Sequence, residues 1–261
     1  MLKNLRIEWM KIKNYRVFQV FSVLYIIGIL AIIYIFYRVY INLISSVTGG
    51  RARDLFDLFG PENIWRTVCF FTSFLLYLPG MVIINLFSNE VNFKTHRQNI
   101  IDGWKRETFI YSKIALIICI SIVITITNLL AVLVMCQVTN STFSFQGAET
   151  LIFCFLQSFI YLMFALTLAT LFRRSGVAII IFFIYGLILE FLLIWLFNNI
   201  YPGLGNYMPL QVADSLIPLA GMRDSWLYNN LPSEIVVTLV ALAFAGLYIF
   251  LAVRKYKRDD L

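Results

Sequence analysis

Charged side chains are scarce in this sequence. Only 13% of the 261 residues are Asp, Glu, Lys or Arg, whereas 61% are hydrophobic and 16% aromatic. A soluble domain carries about twice that charged fraction. Apolar runs of about 20 residues recur, which is the length that a helix needs to cross the hydrocarbon core of a bilayer. They do not alternate as the strands of a membrane β-barrel do. We therefore expect an all-α polytopic membrane protein.

Residues that carry out chemistry are also few. The only histidine is His96, which excludes a histidine-based metal cluster. There is no Walker A loop, no GxSxG and no HExxH. None of the cysteines forms a CxxC pair, and all lie in or beside apolar runs, as expected of small core residues. They are Cys69, Cys119, Cys136 and Cys154. The sequence predicts no active site, no metal and no cofactor bound by this chain.

The apolar runs predict six transmembrane helices in a single domain, 1–261. Pro79–Gly80 predicts a kink or break in the second of them. The connection 198–234 holds four of the six prolines, yet Met208 to Met222 is largely apolar. Apolar, broken backbone is expected where a segment dips back against a helix bundle, so an outer re-entrant segment is predicted. The predicted spans are 17–37, 67–87, 110–137, 150–172, 177–197 and 235–253.

The first 16 residues have the pattern of a basic amphipathic helix that lies in the membrane interface. The alternative is an ordinary positive flank of the first span. Apolar residues share one helical face at spacings of three and four, and polar residues lie elsewhere around the wheel. The apolar face consists of Leu2, Leu5, Trp9 and Ile12, and the polar residues include Lys3, Asn4, Glu8 and Lys11.

The positive charges predict the orientation. Sixteen Lys and Arg residues lie on the side that holds both termini, the central loop and the Arg173–Arg174 turn, and five lie on the other side. The positive-inside rule makes the first side cytoplasmic. The net charge of +7 is thus explained by topology and by contact with anionic membrane lipids. Nucleic-acid binding is not needed to explain it.

Glu190 is the only acid clearly inside an apolar run. An intramembrane carboxylate is a candidate for function, so Glu190 is a candidate residue of a transport pathway. A carboxyl group that bonds to a neighbouring helix, or that water reaches from the outside, is an equally good explanation.

The interval between the second and third spans is longer than a passive linker needs. Residues 84–113 carry five basic and three acidic groups with apolar residues interleaved, including Phe93 and Trp104. This pattern indicates a docking surface for a soluble partner.

The order of these features resembles the permease subunit of the ABC-2 type transporter family, which has the type V exporter fold. The resemblance is carried by a basic N-terminal helix, a long outer loop, and a polar stretch after the second span. The positions that match the family's motif are Glu90, Thr95, Ile100–Ile101, Gly103, Lys105–Arg106 and Ser112–Lys113. The chain departs from the motif at Gly103–Trp104, where many members have a proline.

The resemblance implies a coupling helix in the loop 88–109 that docks on a separate ATPase subunit. Glu90, Phe93, Thr95, Arg97, Ile100, Ile101, Gly103, Lys105 and Arg106 would contact or position the ATPase. The N-terminal helix, with Leu5, Trp9 and Ile12, would transmit the motion. Two ATPase subunits would hold ATP and Mg, and a second permease, identical or a paralogue, would complete a dimer in the bacterial cytoplasmic (inner) membrane.

Other function classes fit less well. A membrane scaffold or assembly subunit could use the same loop to bind a soluble partner without transport. A lipid-modifying enzyme or an ion-coupled transporter needs several buried ionisable groups, and the sequence offers one intramembrane acid and one histidine.

Overall fold

The computed structural model describes residues 2–47, 58–95, 106–139, 143–219 and 231–258. Within these ranges all regular elements are helical. The described residues include six helical segments that are long and apolar enough to cross a membrane, and two of these segments consist of more than one helical element. The prediction of an all-α membrane protein with six spans is therefore confirmed.

The helices extend beyond the apolar runs from which they were predicted. The first span begins at Arg16 but its helix continues to Val47, into what was expected to be the outer loop. A helix satisfies its own backbone hydrogen bonds, so it can leave the hydrocarbon region without unfolding. The helices are α1 (Leu2–Lys13), α2 (Arg16–Val47), α3 (Ile64–Ser73), α4 (Tyr77–Asn92), α5 (Arg106–Thr139), α6 (Thr150–Phe172), α7 (Ser175–Ile184), α8 (Glu190–Ile200), α9 (Gln211–Asp214) and α10 (Glu234–Arg258).

Two of the six spans are not continuous α-helix. Span two consists of α3, a 3-10 turn (Phe74–Leu76) and α4. Span five consists of α7, a π-helical turn (Tyr185–Leu189) and α8. The other spans are α2, α5, α6 and α10.

The irregularity in span two lies before Pro79. The α-helix resumes at Tyr77 and runs through Pro79 and Gly80 without a break. A proline has no N–H and its ring clashes with the carbonyl four residues earlier, which here belongs to Leu75. The turn Phe74–Leu76 therefore tightens to a 3-10 geometry, one turn earlier than the expected kink.

α6 is the central helix of the bundle. It packs against α4, α5 and α10, and its span is two-thirds buried, the largest share among the six described spans. Ala165 and Ala169 have no exposed surface. Small residues let neighbouring backbones approach closely, and the resulting van der Waals contacts favour helix association in lipid, where the hydrophobic driving force between helices is absent.

The two ends of the bundle are defined by their contacts. At one end, called the α1 end, Lys257 near the end of α10 pairs with Glu107 at the start of α5 at 2.6 Å. At the opposite end, the Trp65 Nε1 atom at the start of α3 donates a hydrogen bond to the Ser144 carbonyl at 2.9 Å. Spans two and three are therefore antiparallel, and so are spans three and six.

The described part of the re-entrant candidate, residues 201–219, lies at the opposite end. It contains a 3-10 turn (Leu204–Tyr207) and α9. The turn packs against α8, and α9 packs against α6 and α10. Buried apolar side chains, among them Leu210, Val212 and Ile217, fix the segment against the spans.

Candidate functional site: a charged junction and a polar pocket

Four charged side chains meet at the α1 end, and we call them the charged junction: Glu8, Lys11, Glu90 and Lys113. The Lys113 Nζ atom lies 2.5 Å from a Glu8 carboxylate oxygen and 2.6 Å from one of Glu90. The Lys11 Nζ atom lies 3.4 Å from Glu8 and 3.6 Å from Glu90. Two carboxylates and two ammonium groups make the cluster neutral. It joins α1, the end of span two and the start of span three.

The centre of the charged junction is out of contact with solvent. Glu8 is 1% exposed and Lys113 is 3% exposed. Taking charges out of water costs several kcal/mol per ion, and close pairing offsets that cost. The Lys113 ammonium also lies 5.1 Å from the centre of the Phe109 ring, a favourable cation–π distance. The ammonium group of Lys113 therefore stabilises both carboxylates.

The position of Glu90 explains why it needs a cation. It lies in the last turn of α4, where unpaired carbonyl groups give the helix end a partial negative charge that disfavours a carboxylate. Lys113 and Lys11 offset this repulsion. The segment from Glu90 to Lys113 thus begins and ends on the same ion-paired cluster.

Apolar and polar contacts fix α1 beside the junction. Ile12 is buried against Val82 and Leu86 of α4 and Leu116 of α5. The Asn89 side chain donates a hydrogen bond to the Tyr15 hydroxyl at 2.8 Å. α1 thus contacts α4 and α5, the helices on either side of residues 93–105.

Some of the predicted coupling residues lie among the described residues and some lie outside them. Glu90 belongs to the junction, and Phe93 follows α4 with 76% of its surface exposed. The hydroxyl of Thr95 donates to the Glu90 carbonyl at 3.3 Å. Arg106 begins α5. The remaining predicted residues, Arg97, Ile100, Ile101, Gly103 and Lys105, lie outside the described residues, as does His96.

The expectation for α1 needs correction at one residue. Glu8 was assigned to the polar side of the wheel, but it is buried together with Ile12. Trp9 is half exposed and meets Phe18 of α2 edge-on, with ring centres 6.4 Å apart. Leu5 lies in α1. The spacing of four between Glu8 and Ile12 puts both on one face, and this was the signal that sequence reasoning missed.

Glu190 is buried, and its carboxylate forms hydrogen bonds with backbone N–H groups. One of its carboxylate oxygens accepts hydrogen bonds from the N–H groups of Leu210 at 2.6 Å and Gln211 at 2.8 Å. It thereby fixes the start of α9 to span five. This is the bonded arrangement that the sequence left open as the alternative to a pathway role.

A second acid, Asp214, lies nearby and borders a cavity that sequence reasoning did not predict. It accepts hydrogen bonds from the Gln157 side chain and the Tyr161 hydroxyl, each at 2.9 Å. We call the cavity the Asp214 pocket; its volume is about 90 Å³, and Phe70, Phe74, Tyr77, Tyr161, Phe191 and Asp214 are among its lining residues. The spacing of four between Gln157 and Tyr161 on α6 was the available signal.

No protein-family model matches the chain, and no curated protein matches it.

Proposed function

We propose that this chain is the membrane-spanning permease subunit of an ATP-driven exporter of the ABC-2 type, in the bacterial cytoplasmic membrane. It would form the pathway as a dimer and be driven by two separate ATPase subunits, which bind ATP and Mg. The observation that carries the proposal is the charged junction. An ATPase-driven exporter needs a rigid connection between a cytoplasmic docking loop and the spans, and Lys113 supplies one.

The charged junction supports transmission of motion as follows. A partner that displaces residues 93–105 would pull on the end of α4 and the start of α5, the two helices that carry Glu90 and Lys113. Glu8 of α1 forms an ion pair with the same lysine, Lys113, so α1 would move together with α4 and α5. The cluster is neutral and its centre is buried, and removing one buried partner would leave an unpaired charge, which costs about 3–5 kcal/mol. The three elements therefore move together.

The chain also offers an exposed anchor for the partner. Phe93 presents its ring at the α1 end with 76% of its surface exposed. Large aromatic side chains are enriched among the residues that contribute most to protein–protein binding. In this proposal Phe93 enters the groove of the ATPase subunit.

The test is purification of the complex from its native membrane in mild detergent, with identification of the proteins that accompany the chain. We expect a stoichiometric nucleotide-binding ATPase, and Phe93→Ala to reduce its recovery about tenfold or more, since hot-spot truncation costs 2 kcal/mol or more. Phe145→Ala is the matched control, because Phe145 is 78% exposed at the opposite end of the bundle.

Two outcomes would contradict the proposal. The first is a chain that is purified without any ATPase. The second is a complex with a partner that hydrolyses no ATP, which would favour the membrane scaffold instead. If Phe93→Ala and Phe145→Ala reduced recovery of the ATPase equally, the result would contradict specific docking of the ATPase at the α1 end.

A further inference from the structure

We infer that the Asp214 pocket binds the cationic head of an amphiphile, a quaternary or protonated amine whose apolar part extends toward the bilayer. The inference assigns a substrate class to the proposed exporter and in that sense rests on the proposed function. The binding itself is a property of this chain alone.

The pocket has one carboxylate and a wall of aromatic rings. Asp214 lies at one side, and span two contributes Phe70, Phe74 and Tyr77 at spacings of four and three, which puts them on one helical face. Span five contributes Phe191. A cation beside a carboxylate and over aromatic faces is stabilised by both, and the effect grows where water is excluded.

The carboxylate of Asp214 has neutral hydrogen-bond donors. Gln157 and Tyr161 donate to it. Among the residues that the structure describes, no Lys or Arg nitrogen lies within ion-pair distance of Asp214 or Glu190. Glu190 already accepts two backbone N–H groups. A carboxylate that has donors but no counter-charge is suited to a cation that arrives from outside.

The mouth of the pocket indicates where the rest of the ligand lies. Phe74, Leu187 and Phe191 line the pocket and are each 42–50% exposed. All three side chains are apolar, so the exposed rim that they form is apolar. A hydrated metal ion would need several oxygen ligands, and in the described ranges no group of three or more His, Cys, Asp or Glu residues is placed to supply them. An organic cation needs only one carboxylate and apolar walls.

The backbone beside the pocket departs from regular α-helix. The π-helical turn Tyr185–Leu189 directly precedes Glu190, and such turns are rare and frequent at functional sites. The turn includes Gly186, which also lines the pocket, and the Tyr77 hydroxyl lies so close that a Cβ atom on Gly186 would be 2.3 Å from it. The absence of a side chain at Gly186 therefore lets Tyr77 occupy the pocket wall.

The experiment measures equilibrium binding to the purified chain in nanodiscs of phosphatidylglycerol, which has no amine in its headgroup. The probes are benzyltrimethylammonium and its uncharged carbon isostere, neopentylbenzene. We expect saturable binding of the cation that is about tenfold or more tighter than binding of the isostere. Asp214→Asn keeps an acceptor oxygen for Tyr161 and should abolish the difference between the probes.

Two further variants make the result specific. Phe74→Ala should weaken binding of the cation about threefold, as expected of a partly exposed cation–π contact. Glu149→Gln removes one negative charge from an exposed position at the same end and should leave binding unchanged. Thermal unfolding of each variant checks that it is folded.

Equal binding of the two probes by the unchanged chain, or no saturable binding of the cation, overturns the inference even if Asp214→Asn fails to fold. Because no ATPase is present, a negative result leaves the proposed coupling to an ATPase unaffected.

Discussion

Lys113 holds two carboxylates with a single ammonium group, and this makes it the side chain on which the α1 end depends most. Its Nζ atom is within 2.6 Å of both Glu8 and Glu90. Lys11 contacts the same two acids at longer distances, and a third of its side chain is exposed. The two lysines thus have the same charge and the same partners but different burial.

Lys113→Met should therefore destabilise the protein by about 3–5 kcal/mol, because it leaves two buried carboxylates with one distant cation. Lys11→Met should cost about 1 kcal/mol or less, as exposed ion pairs do. Unfolding in detergent measures both. Adding Glu8→Gln to Lys113→Met should recover part of the loss, because Glu90 and Lys11 then balance. Equal losses for the two lysine variants would contradict the assigned role of Lys113.

Replacing Gly186 by alanine adds a single methyl group beside the Asp214 pocket and thereby tests how closely Tyr77 packs there. A Cβ atom at Gly186 would lie 2.3 Å from the Tyr77 hydroxyl, whereas one at Gly246 would meet nothing within 4 Å. Gly186→Ala should thus cost about 1–3 kcal/mol through overpacking. Gly246→Ala, in the middle of α10, should be neutral or slightly stabilising because alanine favours helix. Thermal unfolding compares them, and equal stability of the two variants would show that Tyr77 can move freely.

At the scale of elements, Ile12 of α1 packs against spans two and three beside the charged junction. Ile12 is 1% exposed, and Met10, two residues earlier, is 54% exposed. Ile12→Ala should weaken docking of α1 by about 2 kcal/mol or more, a change of roughly thirtyfold in its local opening equilibrium. Hydrogen exchange of the amides in 2–13 should rise by that factor. Met10→Ala should leave it unchanged.

The reference for this measurement is α10, whose exchange should be the same in both variants. A rise in exchange over all helices of Ile12→Ala would mean global destabilisation. In that case the separate docking of α1 would be contradicted.

The helices themselves could be predicted because each is specified by its own sequence. A run such as 150–172 is apolar over the length of a bilayer, and the helix found there is Thr150–Phe172. Glu8 and Asp214 could not be assigned in this way. Each is one polar residue in a helical or broken segment, and its burial depends on side chains more than 50 residues distant, Lys113 for Glu8 and Gln157 for Asp214. Local spacing can put Glu8 on the face of Ile12, and Gln157 on the face of Tyr161, but it does not identify which distant side chain pairs with either acid.

At the scale of the whole molecule, the alternation of the six spans puts Thr95 and Phe145 at opposite ends. Thr95 follows span two at the α1 end, and Phe145 lies between spans three and four. Both side chains are exposed. The sequence predicts that the α1 end is cytoplasmic, because the positive-inside rule assigns the sixteen Lys and Arg residues of one side, against five of the other, to the cytoplasm. The two positions therefore report the orientation of the chain.

In intact cells, a membrane-impermeant maleimide should label Phe145→Cys and should label Thr95→Cys only after permeabilisation. The native cysteines give the background, since Cys69, Cys136 and Cys154 are buried and Cys119 is only partly exposed. The reverse pattern would put the charged junction outside the cell, where no ATP is present, and the proposed coupling to an ATPase would fail. Labelling of both positions in intact cells would contradict the alternation of the spans. The expected pattern leaves the α1 end, with Phe93 exposed beside the junction, as the surface available to a cytoplasmic ATPase.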